Sequence, residues 1–153
     1  MIAVDTDVLA LHHIFERDQR QPATARFLER AEKSGWGVPI FSLLELCGLM
    51  ATASHSAQAI RLFEMYLESP GVSILYPDVE ASSADEFWGQ QNAALLERID
   101  RGMRLGDAAI LWTAEATGCE TLVTWNTRHY LRKTSVRVQT PDSWLAEGTG
   151  DGS

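Results

Sequence analysis

The stretch Ile2-Ala3-Val4-Asp5-Thr6-Asp7 decides how the rest of the chain reads. Three apolar residues, two of them β-branched, run directly into an acidic cluster, the pattern of a short buried strand that delivers carboxylates at its carboxyl end. In an open α/β sheet, ligands bind at that edge. Asp5 is accordingly either the central ligand of a divalent cation or simply the polar end of a strand. Asp7 reads as the N-cap of the following helix, a position where Asp is favoured.

Outward from this stretch, residues 8–15 suit a short helix, in which the neighbours His12 and His13 cannot share one face and read as surface or partner-facing residues. Residues 17–21 read as a loop. Pro22 starts a second helix, with Ala23, Phe27, Leu28 and Ala31 at helical spacing, and Gly35 and Gly37 stop it. Residues 38–41 form the second strand, where Pro39 implies an edge position or an incomplete ladder. Ser42-Leu43-Leu44-Glu45 is a capping-box pattern opening an apolar helix that runs to residue 54. A helix over 58–67 and a strand over 72–76 follow. Ser82 and Ser83 introduce a long helix ending near Gly102, and Asp107 opens another that Gly118 stops. Residues 121–125 and 136–139 are the last strands, and Trp112, spaced with Ala108, Ala109 and Ala116, belongs to the core.

A chain of 153 residues with 45% hydrophobic and 22% charged content is one ordinary soluble domain. It spans 1–146, undivided by repeat or linker, and the Gly-rich acidic tail at 147–153 is expected to be disordered. Cys47 and Cys119 lie far apart and suggest neither a disulfide framework nor a zinc site. The absence of a signal-peptide pattern and of any run near the ~20 apolar residues of a membrane helix places the protein in the cytoplasm. With 13 basic against 21 acidic residues, the net charge of −8 excludes a broad basic footprint for nucleic acid. It leaves room for a nucleic-acid substrate bound through a cation held by acids.

Strands alternating with helices imply βαβ units, a mostly parallel sheet and right-handed crossovers. Each strand's carboxyl end then shares one edge with the start of a covering helix. Asp5 ends a strand, Glu45 and Asp107 lie at helix starts, and Asn126 follows a strand, so all four fall at that edge. For Glu45 and Asp107 the competing reading is a capping or helix-dipole role. Carboxylate oxygens suit Mg²⁺ or Mn²⁺, and such a site can polarise a phosphodiester and activate an attacking water.

These residues resemble the PIN-domain nucleases, especially the VapC-type toxin ribonucleases. The resemblance rests on Asp5-Thr6-Asp7-Val8-Leu9, Ser42-Leu43-Leu44-Glu45-Leu46, Leu105-Gly106-Asp107-Ala108-Ala109-Ile110-Leu111 and Leu122-Val123-Thr124-Trp125-Asn126-Thr127-Arg128-His129-Tyr130, and covers residues 1 to 141. It implies a three-layer α/β/α domain around a parallel sheet, a Mg²⁺- or Mn²⁺-dependent endoribonuclease, a homodimer, and a cognate antitoxin that blocks the acidic edge. The family's first three acids match Asp5, Glu45 and Asp107, the implied metal ligands. The fourth falls at Asn126, a neutral oxygen donor able to orient a water but neutralising less charge. Thr6, Thr124, Arg128 and His129 are candidates for substrate contact or for supporting these residues. Two rival functions remain: a PIN-like domain that binds RNA or protein without cutting, and a phosphatase of the haloacid dehalogenase type with Asp5 as nucleophile.

Overall fold

Among the described residues, five short strands, β1 (Ile2–Val4), β2 (Trp36–Pro39), β3 (Val72–Leu75), β4 (Thr121–Val123) and β5 (Arg137–Gln139), form one sheet in the order β3-β2-β1-β4-β5. Every pairing in it is parallel. This computed structural model describes residues 1–53 and 56–148; the predicted helix end at residue 54 and residues 149–153 of the tail predicted over 147–153 lie outside the described residues. The helices are α1 (Thr6–His13), α2 (Gln21–Ser34), α3 (Ile40–Thr52), α4 (Ser56–Glu68), α5 (Ala84–Asp100), α6 (Leu105–Ala116) and α7 (Pro141–Glu147).

Central position explains why β1 is apolar on both sides, since successive residues of a strand face opposite ways. Val4 joins Val38 and Val123 against Val8, Leu9, Phe27 and Leu43 of α1 to α3. Ala3 and Leu122 look the other way, onto Ile110, Leu111 and Ala114 of α6, over which α5 packs. Fully burying one such aliphatic side chain contributes about 1.5–3 kcal/mol, so the two cores hold the sheet between helical layers. The arrangement is the expected α/β/α sandwich.

The second strand departs from expectation. It begins two residues earlier, at Trp36, and lies inside the sheet rather than at an edge. Gly37 reads as a helix stop in sequence, yet here it pairs with Ala3 and Ser73. A Cβ at this position would sit 2.7 Å from Cγ of Leu75, whose side chain lies across the strand. The other half of the expectation holds: the ladder to β1 is incomplete, its register ending at Gly37, and that is why Pro39 is tolerated. The helix then starts directly at Ile40, with Pro39 before it and no side-chain cap. The predicted capping box is therefore absent: Ser42 is buried in the first turn, and its hydroxyl has no partner among the described residues. His12 and His13 are half-buried rather than on the surface, and His13 Nε2 lies 2.8 Å from the Tyr66 hydroxyl. Trp112 is half-buried, its indole N–H donating to Gln91 Oε1. Glu147 ends α7 and Gly148 caps it, so order extends to the start of the expected tail.

Candidate active site

The strand-to-helix turn after β1 carries the first acids. Asp5 N–H donates to Val123 O at 3.0 Å, extending the β1–β4 ladder, and the Asp5 carboxylate then caps α1 by accepting from Thr6 N–H at 2.7 Å. The cap expected at Asp7 thus falls to Asp5. Asp7, inside the first turn, reaches across the sheet edge instead. Its Oδ2 accepts from the backbone N–H groups of Trp125 and Asn126 at 2.9 and 3.0 Å, fixing the loop that leaves β4.

Two buried hydroxyls link the acids. Thr124 Oγ1 lies 2.8 Å from Asp5 Oδ2 and 3.1 Å from Asp7 Oδ2. Tyr130, fully buried, places its hydroxyl 3.0 Å from Asp5 Oδ2 and 3.4 Å from Asp107 Oδ1. Each hydroxyl has one proton to donate, so neither can serve two carboxylates at once. Asp5 stands at the junction of both links, and the acids around it hold fewer donors than two full sets of charge would require.

The electrostatics follow. Burial, then the negative charge of Asp7, pushes the Asp5 carboxyl up to about 7, against the hydrogen bonds from Thr124, Thr6 and Tyr130 that favour its charged form. Burial also raises Asp7, opposed chiefly by the Trp125 N–H. Burial and the surrounding acids drive the Tyr130 phenol upward, keeping it a donor.

Glu45 arrives from the second turn of α3, where Thr6 Oγ1 donates to its Oε2 at 2.5 Å. Asp107 lies in the first turn of α6, with His129 Nδ1 3.2 Å from its Oδ2. Asp5, Thr6, Asp7, Glu45, Asp107, Asn126 and His129 together line one cleft of about 390 Å³, joined by Arg104 and Gly106. Thr124 sits behind it, fully buried. Arg128 does not line the cleft; it is exposed on the 3₁₀ turn Thr127–His129. Four lining or bridging residues escape a reading of the sequence as parts of the site: Asp7, Gly106, Tyr130 and Arg104. Asp7 reads as a cap, Tyr130 is only the last residue of a motif, and nothing local distinguishes Arg104 from other surface arginines.

The chemistry of the donor set fits a hard divalent cation. It consists of carboxylate, hydroxyl and amide oxygens with one imidazole at its margin, and sulfur is absent from the cleft lining. Asp7 Oδ1 is buried without a hydrogen-bond partner among the described residues, an orphaned oxygen that a cation or its water would satisfy. The acids are not drawn into a direct chelating cluster: among the described residues no three His, Cys, Asp or Glu side chains are grouped to hold an ion. Mg²⁺ suits such spacing, because it commonly retains several waters and takes only one or two carboxylates.

Comparison with protein families settles the lineage: residues 2–135 match the family model described as "PIN domain". The chain belongs to the PIN domain family. No curated protein matches it. Among solved structures, this PIN domain is similar to VapBC-1 from nontypeable Haemophilus influenzae, with 21% identity, a TM-score of 0.60 and coverage of 93% of this chain and 99% of that one. It is also similar to Mycobacterium tuberculosis VapC20, described as a sarcin-ricin loop cleaving toxin, at 21% identity and TM-score 0.57 over 80% of this chain and 87% of the other. A toxin–antitoxin complex from Klebsiella pneumoniae matches at 16% identity and TM-score 0.54, covering 92% and 98%. At such identities the likeness is one of fold.

Proposed function

We propose that this PIN domain is a divalent-metal-dependent endoribonuclease, hydrolysing RNA phosphodiester bonds as the toxin of a type II toxin–antitoxin pair. The observation that carries the reading is the meeting of Asp5, Glu45, Asp107 and Asn126 in one cleft at the carboxyl edge of the sheet. A bound Mg²⁺ or Mn²⁺ supplies charge neutralisation and Lewis acidity for attack of water on phosphorus. Asp5, Glu45 and Asp107 hold it. Thr6 orients Glu45, and Thr124 and Tyr130 fix Asp5. The Asn126 carboxamide orients the attacking water, while Arg104 and His129, the cationic and imidazole groups in the lining, face the substrate phosphate.

The likeness to a cleaving toxin and to toxin–antitoxin complexes supports a cognate antitoxin as partner. The proposal includes a cytoplasmic homodimer, for which exposed Leu44 and Ile60 on the adjoining helices α3 and α4 supply apolar surface. No described helix is long and apolar enough to cross a membrane.

Incubating an RNA panel with the wild type and Asp5→Asn in Mg²⁺ or Mn²⁺ tests the reading. Cleavage by the wild type alone is expected, abolished by chelator. Equal cleavage by both removes the role of Asp5, and metal-independent RNA binding without cleavage replaces the enzyme with a binding domain.

A further inference from the structure

We propose that Asp7 supplies the fourth negative charge of the cation site, in place of a carboxylate at Asn126. The inference rests on the metal-dependent reading above and concerns a residue which that reading leaves outside the cation-holding set. Asn126 brings no charge, and its backbone N–H is committed to Asp7 Oδ2 at 3.0 Å and Thr124 Oγ1 at 3.0 Å. The residue it leans on is thus itself an acid lining the same cleft.

The two oxygens of Asp7 are used differently. Oδ2 is surrounded by the Trp125 and Asn126 N–H groups and the Thr124 hydroxyl, which is sufficient to tether the loop after β4. Oδ1 is buried and has no donor among the described residues. The amino end of α1 favours an acid in its first turn, and the Val8 N–H adds the smallest of the hydrogen-bond contributions to the carboxylate, but Oδ1 itself meets no donor in hydrogen-bond geometry among the described residues. A buried anionic oxygen without a partner is unfavourable in the isolated chain, and a dication in the cleft is the group that would reverse this. Asp5, Asp7, Glu45 and Asp107 then make four carboxylates, although position 126 is neutral.

A tether and a charge donor respond differently to substitution, which makes the assignment testable by Mn²⁺ binding to the full chain, followed by calorimetry in the absence of RNA. Asp7→Asn is expected to weaken Mn²⁺ binding by about tenfold or more, in the range that groups supporting a metal site contribute. Asp7→Ser, which keeps an acceptor for the loop, should weaken it similarly, with folding of each variant checked by thermal melting. Adding Asn126→Asp to either variant should restore affinity to within about threefold of wild type. Unchanged Mn²⁺ affinity in both Asp7 variants overturns the proposal, as does failure of Asn126→Asp to rescue either one, which would leave Asp7 only a loop tether. A wild type that binds no Mn²⁺ overturns the metal reading itself, and this inference with it.

Discussion

Two depressions meet at Glu45 and Gly106, and they are built on opposite principles. The acidic cleft encloses about 390 Å³ among carboxylates bridged by hydroxyls. Its neighbour, a groove of about 530 Å³ between α3, α5 and α6, is lined by apolar residues including Ile40, Phe41, Phe87, Leu95 and Leu105. The first leaves charge incompletely paired; the second leaves apolar area in water. Each departs from the rules that stabilise a fold, and such departures concentrate at functional sites. Because they depart in different ways, substitutions on the two sides of Glu45 should have different signatures.

The largest difference is expected at Asp5. Its carboxyl is raised from 3.8 to about 7, mainly by burial. In the unfolded chain the group ionises near its ordinary value, so between about pH 4 and 7 the unfolded state binds fewer protons than the native one, and stability falls as pH rises. Each unit of displacement corresponds to about 1.4 kcal/mol. Metal-free Asp5→Asn is therefore expected to exceed wild type in stability by a few kcal/mol at pH 8, with the gap closing towards pH 4. Urea unfolding at several pH values measures it. A gap independent of pH would mean that Asp5 is not the strained acid, and the cleft would lose its contrast with the groove.

His13 supplies the opposing slope that this comparison must separate. Burial, then His12, lowers its imidazole from 6.5 to about 4. Here the unfolded state takes up protons first, so stability is lost as pH falls from about 6.5 towards 4. His13→Gln, which retains a polar partner for Tyr66, should flatten the acid limb by at most about 3 kcal/mol and leave the Asp5-dependent limb in place. The same urea titrations report it; an unaltered acid limb would assign the slope to other groups.

The acidic cleft was far more legible in the sequence than the groove. Asp5, Glu45, Asp107 and Asn126 stand where strands end or helices begin, and a parallel sheet brings such positions to one edge whatever the packing details. What stayed hidden depended on the third dimension. Glu45 looked like a capping residue because the apolar run at 38–41 has no period to separate strand from helix; the helix in fact starts at Ile40 and carries Glu45 into its second turn. Tyr130 closes the last motif with no sign of its role, and in the fold its buried hydroxyl ends between two acids. The groove had no signal at all: Phe41, Tyr76, Phe87 and Leu105 come from separate segments, and no pattern in the sequence brings them together. Tyr76 and Leu105 are 54% and 61% exposed.

Groove substitutions should leave the cleft untouched, and their effects should follow burial. Leu95 packs against the core under α6 while half-exposed, so Leu95→Ala is expected to lower stability by about 1–2 kcal/mol, below the range for fully buried leucines. Trp88, at the rim and 62% exposed, should change it by less than about 0.5 kcal/mol on conversion to Ala. For both variants Mn²⁺ affinity should stay within about twofold of wild type, because neither side chain carries charge or bonds an acid. A weakened Mn²⁺ isotherm in Trp88→Ala, with the unfolding curve unmoved, would break the comparison, since the aromatic rim and the carboxylates would then act as one site joined through Glu45.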